Sequence, residues 1–224
     1  MTKQTQLEQL NEEIIQCRKC PRLVRWREEV ALVKRKAYRD QEYWGRPVPG
    51  FGDPMARVLV VGLAPGAHGS NRTGRQFTGD GSGRFLYPAL HRAGFANQPS
   101  AESRSDGLIL KDMYITASGR CAPPANKPTP EELNNCQPFL ESEIEFLSPR
   151  VIVCLGRIAF ERILRIYSAR SNGWKFGHGA AYRLENGPWI LCSYHPSQQN
   201  TLTGKLTMEM FDEIWKNARK LTES

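Results

Sequence analysis

Apolar residues gather into four short continuous runs, at 58–63, 113–117, 151–155 and 189–194, separated by longer amphipathic stretches. Runs of this length, rich in Val, Ile and Leu, are predicted strands buried on both faces. The segments at about 82–94, 130–147 and 156–168 carry helical periodicity and separate them. A last helix is predicted at about 205–221, with Leu206, Met210, Ile214 and Leu221 on its inner face. Near the start, Leu7, Leu10, Ile14 and Ile15 follow helical spacing. A second helix is predicted from Pro21 to about Lys36, since proline is tolerated in a first turn. Strands alternating with helices are the pattern of a parallel sheet covered on both faces.

The chain has 224 residues, enough for one substantial core. Charged residues at 24% and hydrophobic ones at 40% exclude wholesale disorder. No repeat, low-complexity tract or second domain boundary interrupts it, so a single domain spanning 1–224 is expected. A signal peptide is not evident at the start, and no apolar run reaches membrane-spanning length. A cytoplasmic or nucleoid-associated protein is therefore expected, with no membrane partner. The formal net charge of +8 and the isoelectric point of about 9.3 favour a polyanion, most simply nucleic acid. Part of that charge lies in the stretch containing Lys34, Arg35, Lys36 and Arg39, ahead of a Gly- and Pro-rich loop from Tyr43 to Pro54.

Two turns follow predicted strands. GLAPGAHG runs from Gly62 to Gly69, and HPSQQN from His195 to Asn200. Ligands of open α/β sheets bind beyond the carboxyl ends of strands, so the two turns can face one pocket. Gly62 and Gly66 permit unusual dihedrals and close backbone approach, Pro65 stiffens the turn, and His195 supplies a titratable imidazole.

Six cysteines in a reducing compartment point to metal binding or packing before disulfides. Cys17 and Cys20 form a CxxC; Cys121 and Cys136 form a second pair. Four thiolates suit either tetrahedral zinc or a [4Fe–4S] cluster, and spacing alone leaves both open. Cys154 and Cys192 lie inside strand runs and are expected in the core.

The stretches PRLVRWREEV, YWGRPVPGFGDP, GLAPGAHGSNRTGRQFTGD, CAPPANKPTPEE and HPSQQNTLTGKLT, with the cysteine quartet, resemble the uracil-DNA glycosylase superfamily, and most closely its iron–sulfur family 5. The resemblance runs from Cys17 to about Met210. It implies a three-layer α/β/α sandwich on a central four-stranded, mainly parallel sheet. It also implies a [4Fe–4S] cluster on Cys17, Cys20, Cys121 and Cys136, structural in related enzymes.

The implied activity is that of a monofunctional glycosylase of base-excision repair. It would hydrolyse the N-glycosidic bond of uracil, and of deaminated bases such as hypoxanthine and xanthine, to leave an abasic site. No lysine stands out as a Schiff-base nucleophile, so strand cleavage is not expected. His195 would stabilise the departing base at O2, aided by the backbone of Gly62, Leu63, Ala64 and Gly66. Phe77 would stack on the extruded base, its alternative being a core phenylalanine. His68 and Asn71 lie near the same turn. Ser197, Gln198, Gln199 and Asn200 would enter the minor groove, and Arg72, Arg75 and Lys205 would contact phosphates.

Two departures matter. Related families carry a carboxylate or asparagine where this chain has Leu63, which cannot orient water. Family 4 places an asparagine four residues before the third cysteine, where this chain has Ala117. Losing that amide relaxes discrimination between bases. Ser70, Asn71 and Asp80 are candidates to compensate. The partner is double- or single-stranded DNA carrying damaged bases, and a monomer is usual for the superfamily. The principal alternative is a non-catalytic iron–sulfur protein that binds damaged or single-stranded DNA.

Overall fold

The computed structural model describes residues 1–168 and 173–224. Its centre is one sheet of β1 (Phe51–Gly52), β2 (Val58–Gly62), β3 (Met113–Ala117), β4 (Val151–Leu155), β5 (Ala181–Arg183) and β6 (Trp189–Ser193), in the order β1-β3-β2-β4-β6-β5. The four strands predicted from apolar runs are the inner ones and are mutually parallel. The edge strands β1 and β5 pair antiparallel, so the sheet has six strands rather than four. Neither edge strand contains an apolar run. β1 is two residues within the Gly- and Pro-rich loop, and β5 is a largely exposed Ala-Tyr-Arg.

Residues alternate between the two faces of the sheet. Val58, Val60, Ile115, Val153 and Leu191 point toward α4 (Gly81–Arg92) and α8 (Met208–Leu221), where they meet Leu86, Leu90, Phe211 and Trp215. Leu59, Val61, Ile152, Cys154, Ile190 and Cys192 point the other way. There they meet Leu140 and Ile144 of α5 (Pro130–Leu147), Phe160 and Ile163 of α6 (Arg157–Ile166), and Leu7 of α1 (Lys3–Gln16). The two buried layers on either side of one sheet make the three-layer sandwich. Cys154 and Cys192 are fully buried core residues.

Local signals fix the helix ends. Thr129 and Glu132 form a capping box at the start of α5, and Asp80 caps α4 by accepting from the Gly83 amide. The helix predicted from Pro21 to about Lys36 is α2 (Pro21–Val33), because Lys34 turns left-handed at φ 55°. Helix α8 starts at Met208, capped by the Thr207 hydroxyl. Two short helices, α3 (Ser70–Thr73) and α7 (Gln198–Leu202), follow the first and second turns.

Parallel register brings the carboxyl ends of β2 and β3 level, with Gly62 opposite Ala117. The turns that leave β2 and β6 therefore emerge on the same edge of the sheet, flanking the end of β4.

Candidate active site

A cavity of about 590 Å³ opens at that edge. Its walls combine the first turn (Gly62, Leu63, Ala64, Gly66), Ala117 at the end of β3, Phe77, and His195 with Ser197, Gln198 and Gln199 of the second turn. A volume of this size lies in the range of small-molecule sites. A larger open groove of about 1110 Å³ runs along α1. None of the residues of the two turns lines it.

Phe77 sits in the left-handed region at φ 52°, a conformation that costs a bulky side chain energy and needs support. The support is close packing. A Cβ on Gly83 would lie 1.8 Å from the Phe77 carbonyl oxygen, and one on Gly62 would lie 2.9 Å from the tip of its ring. Gly62 and Gly66 themselves have ordinary dihedrals, so close approach is what makes them glycine.

His195 is half-buried, and its ring takes part in no hydrogen bond among the described residues. Burial pulls its pKa down to about 4, so the imidazole is neutral near pH 7. The Asn200 side chain donates to the His195 carbonyl at 2.9 Å and holds the turn. His178 accepts from the Tyr194 amide at 3.2 Å through Nδ1, which leaves Nε2–H to face the Met210 carbonyl. The residue before His195 is thereby tied to α8.

Asp80 is the one carboxylate lining the cavity among the described residues. Its oxygen packs against Gly69, where an added Cβ would lie 2.1 Å away. Burial raises its pKa, opposed by the amides of Gly83 and Ser82 that bond it.

Several residues nominated by motif position turn elsewhere. Asn71 is fully buried and donates to the Arg27 carbonyl at 3.2 Å, so it does not line the cavity. His68 faces the Tyr43 hydroxyl at 3.1 Å, also outside it. Arg72 is buried against the carbonyls of His68 and Gly79 and the Gln41 side chain. Arg75 forms a two-pronged pair with Asp106, at 2.9 and 2.7 Å. Both guanidinium groups are committed inside the protein rather than presented to phosphate. Ser197 caps α7 by accepting from the Asn200 amide, and Gln198 lies across Gly81. Lys205 lines an adjacent cavity of about 350 Å³ that shares His195 and includes Arg157.

The four nominated cysteines converge although they come from distant segments. Cys17, Cys20, Cys121 and Cys136 line one cavity between α2 and α5, with Arg27, Arg120 and Asn135. Arg22 of α2 clamps Glu132 of α5 through two bonds of 2.7 Å, which draws Cys20 toward Cys136. The Asn135 amide approaches the Cys20 sulfur at 3.5 Å.

Residues 49–219 match the model of the uracil DNA glycosylase superfamily. The chain belongs to that superfamily. Among its relatives, the type-5 uracil-DNA glycosylase of Thermus thermophilus is 56% identical over 92% of this chain and 93% of its own. That of Pyrobaculum aerophilum is 46% identical over 92% and 88%. The type-4 uracil-DNA glycosylase of Archaeoglobus fulgidus is 32% identical over 85% and 81%. Within the uracil DNA glycosylase superfamily, the chain thus stands with the type-5 branch.

Sequence reasoning passed over several residues at this glycosylase-type site. Asn126 and Lys127 are exposed at the cavity mouth, carried there by the CAPPANKP loop. Ala125 and Asn126 both have positive φ, at 52° and 56°. Asparagine's tolerance of that region was the available signal. Gln76, buried and bonded to the Val48 carbonyl at 3.2 Å, also reaches the cavity. Leu202, 83% exposed at the end of α7, is an apolar side chain projecting beside Gln198 and Gln199.

Proposed function

We propose that this protein is a monofunctional DNA glycosylase that removes uracil, and also deaminated purines, from DNA. The base swings out of the duplex into the cavity between the two turns, as chemistry on a base requires. The observation that carries this reading is the meeting of Phe77, a neutral His195 and Asp80 on one cavity large enough to take a base beyond the strand ends.

The bond between C1′ and the base nitrogen breaks with its electron pair leaving on the base, and positive charge develops on the sugar. A neutral imidazole at His195 donates a hydrogen bond to the carbonyl oxygen where negative charge gathers, without first having to lose a proton. The Asp80 carboxylate faces the electron-poor sugar and orients the water that adds to C1′. It takes over the work that Leu63 cannot do. Asn126 supplies an amide in place of the one absent at Ala117. A cavity of about 590 Å³ also admits a purine, which supports hypoxanthine and xanthine as substrates. Gln198, Gln199 and Leu202 on α7 are placed to enter the duplex, while Lys127 and Lys205 offer exposed charge to the backbone.

The cysteine centre fits a [4Fe–4S] cluster. Four thiols brought into one cavity from distant segments are the ligand set such a cluster takes. When bound, it supplies structure, pinning the N-terminal segment to the sheet through Cys17 and Cys20.

The test is incubation with oligonucleotides carrying uracil, hypoxanthine or xanthine, followed by alkali. Cleavage at the lesion only after alkali is expected. No abasic product from any of them would refute the enzymatic reading. DNA binding without product would favour a non-catalytic binder.

A further inference from the structure

Arg27 of α2 is 2% exposed, and its guanidinium lines the cysteine cavity. Nη1 donates to the Cys121 sulfur at 2.8 Å, and both Nη atoms reach the Cys17 carbonyl at 3.3 Å. Nε is buried without a partner among the described residues. The nearest carboxylate, Glu28, lies 3.9 Å away, is half-exposed, and is already engaged by Arg18 at 2.6 Å. Arg120 lines the same cavity in a different way, since Glu143 neutralises it through bonds of 3.0 and 2.6 Å.

A guanidinium keeps its proton in proteins, and a buried charge whose nearest carboxylate lies 3.9 Å away, half-exposed and shared with Arg18, is poorly compensated. Negative charge in the cavity it faces would complete the compensation. Neutral thiols do not supply it, whereas four thiolates around an iron–sulfur core leave the whole group anionic.

We infer that Arg27 is the charge partner of the metal centre: its guanidinium offsets the negative charge of the cluster on the four cysteines and sets the cluster's lifetime and reduction potential. This rests on the cluster reading above. Adding one electron, with no proton, makes the cluster more negative. A nearby cation that donates to a ligand sulfur stabilises the reduced form more than the oxidised one and raises the potential. Arg27 is a positioning residue. It touches a ligand sulfur and no substrate atom.

The Arg27 carbonyl also receives the Asn71 side chain from α3, next to the first turn. Activity alone would therefore mix two effects, and the readout belongs on the metal centre. Full-length wild type, R27Q and R27K are purified without oxygen and compared for iron and acid-labile sulfide. Decay of visible absorption under a chelator and the midpoint potential against an electrode complete the comparison. R27Q keeps polarity but drops the charge; it is expected to lose its cluster several-fold faster and to shift the midpoint negative. R27K restores the charge and is expected to recover toward wild type in both. R27Q matching wild type in lifetime and midpoint would overturn the assignment. So would R27K being as impaired as R27Q. If R27Q does not fold, R27K decides: wild-type-like lifetime and midpoint support the charge role, and loss of the cluster overturns it. Wild type holding zinc, without iron or sulfide, would instead overturn the cluster reading itself.

Discussion

The ring of Phe77 lies 5.7 Å from that of His195, centroid to centroid, tilted by 34°. A flat base inserted between two rings needs two contacts of about 3.5 Å each, more than this gap provides. A base stacked on one face of Phe77, as proposed, would have the imidazole at its edge, with a hydrogen-bond donor beside a carbonyl oxygen rather than over a ring. The backbone that fixes Phe77 is set by Gly62 and Gly83, so the pairing is built into the fold.

Replacing Phe77 by Leu keeps apolar bulk and removes the stacking face. Base stacking on an aromatic ring is worth about 1–3 kcal/mol, so single-turnover base release should fall by about 10- to 100-fold. The melting temperature should move little by comparison. Equal loss in both would return Phe77 to a packing role.

His195 and Asp80, both lining the cavity, make a statement about pH. Burial lowers the His195 pKa to about 4, against an unfolded value near 6.5. This favours the neutral, folded form: the contribution is complete above about pH 6.5 and is lost as pH falls toward 4. Asp80 is raised, so its burial opposes folding increasingly as pH climbs past the ordinary carboxylate range. Base release should show no step near pH 6.5, and its acid limb should follow Asp80 ionisation. D80N should abolish that limb along with most activity. In urea unfolding, H195A should lose less stability than wild type between pH 6.5 and 4.

Arg75 separates structural charge from DNA contact. It is buried and makes two hydrogen bonds to the partly exposed Asp106, which keeps its backbone amide donors in R75A, so the substitution should cost about 1.5–3 kcal/mol of stability. Its effect on the salt dependence of DNA binding should be negligible. K127A and K205A should do the reverse, each lowering the slope of log affinity against log salt by about 1 with stability unchanged.

Leu202 is the exposed apolar side chain of α7. L202A should slow removal of uracil from duplex DNA, where the gap left by the base must be filled. It should leave single-stranded substrates nearly unaffected. Equal effects on both would remove Leu202 from the duplex-opening role.

The inner strands and the two turns were legible because doubly buried strands are unbroken apolar runs, and because a motif after such a run lands at the sheet edge. The edge strands β1 and β5 were not, since pairing at an edge requires no apolar pattern. Motif proximity also misdirected the reading of Asn71, Arg72 and Arg75. They follow the first turn closely, but α3 and the segment just after it direct them inward, a direction that adjacency in sequence does not encode. Arg27 is the opposite case. Its meaning depends on Cys121, 94 residues away, and only the docking of α2 brings them together. Lys205 and His195 shared a motif and do share a wall.

The central claim is that a neutral imidazole steadies the departing base. Its most direct test is the single-turnover rate of uracil release by H195A, measured beside DNA affinity and melting temperature. Loss of one well-placed donor should lower the rate by about 10²- to 10³-fold while affinity and stability hold. An H195A protein that releases uracil at the wild-type rate would contradict the account.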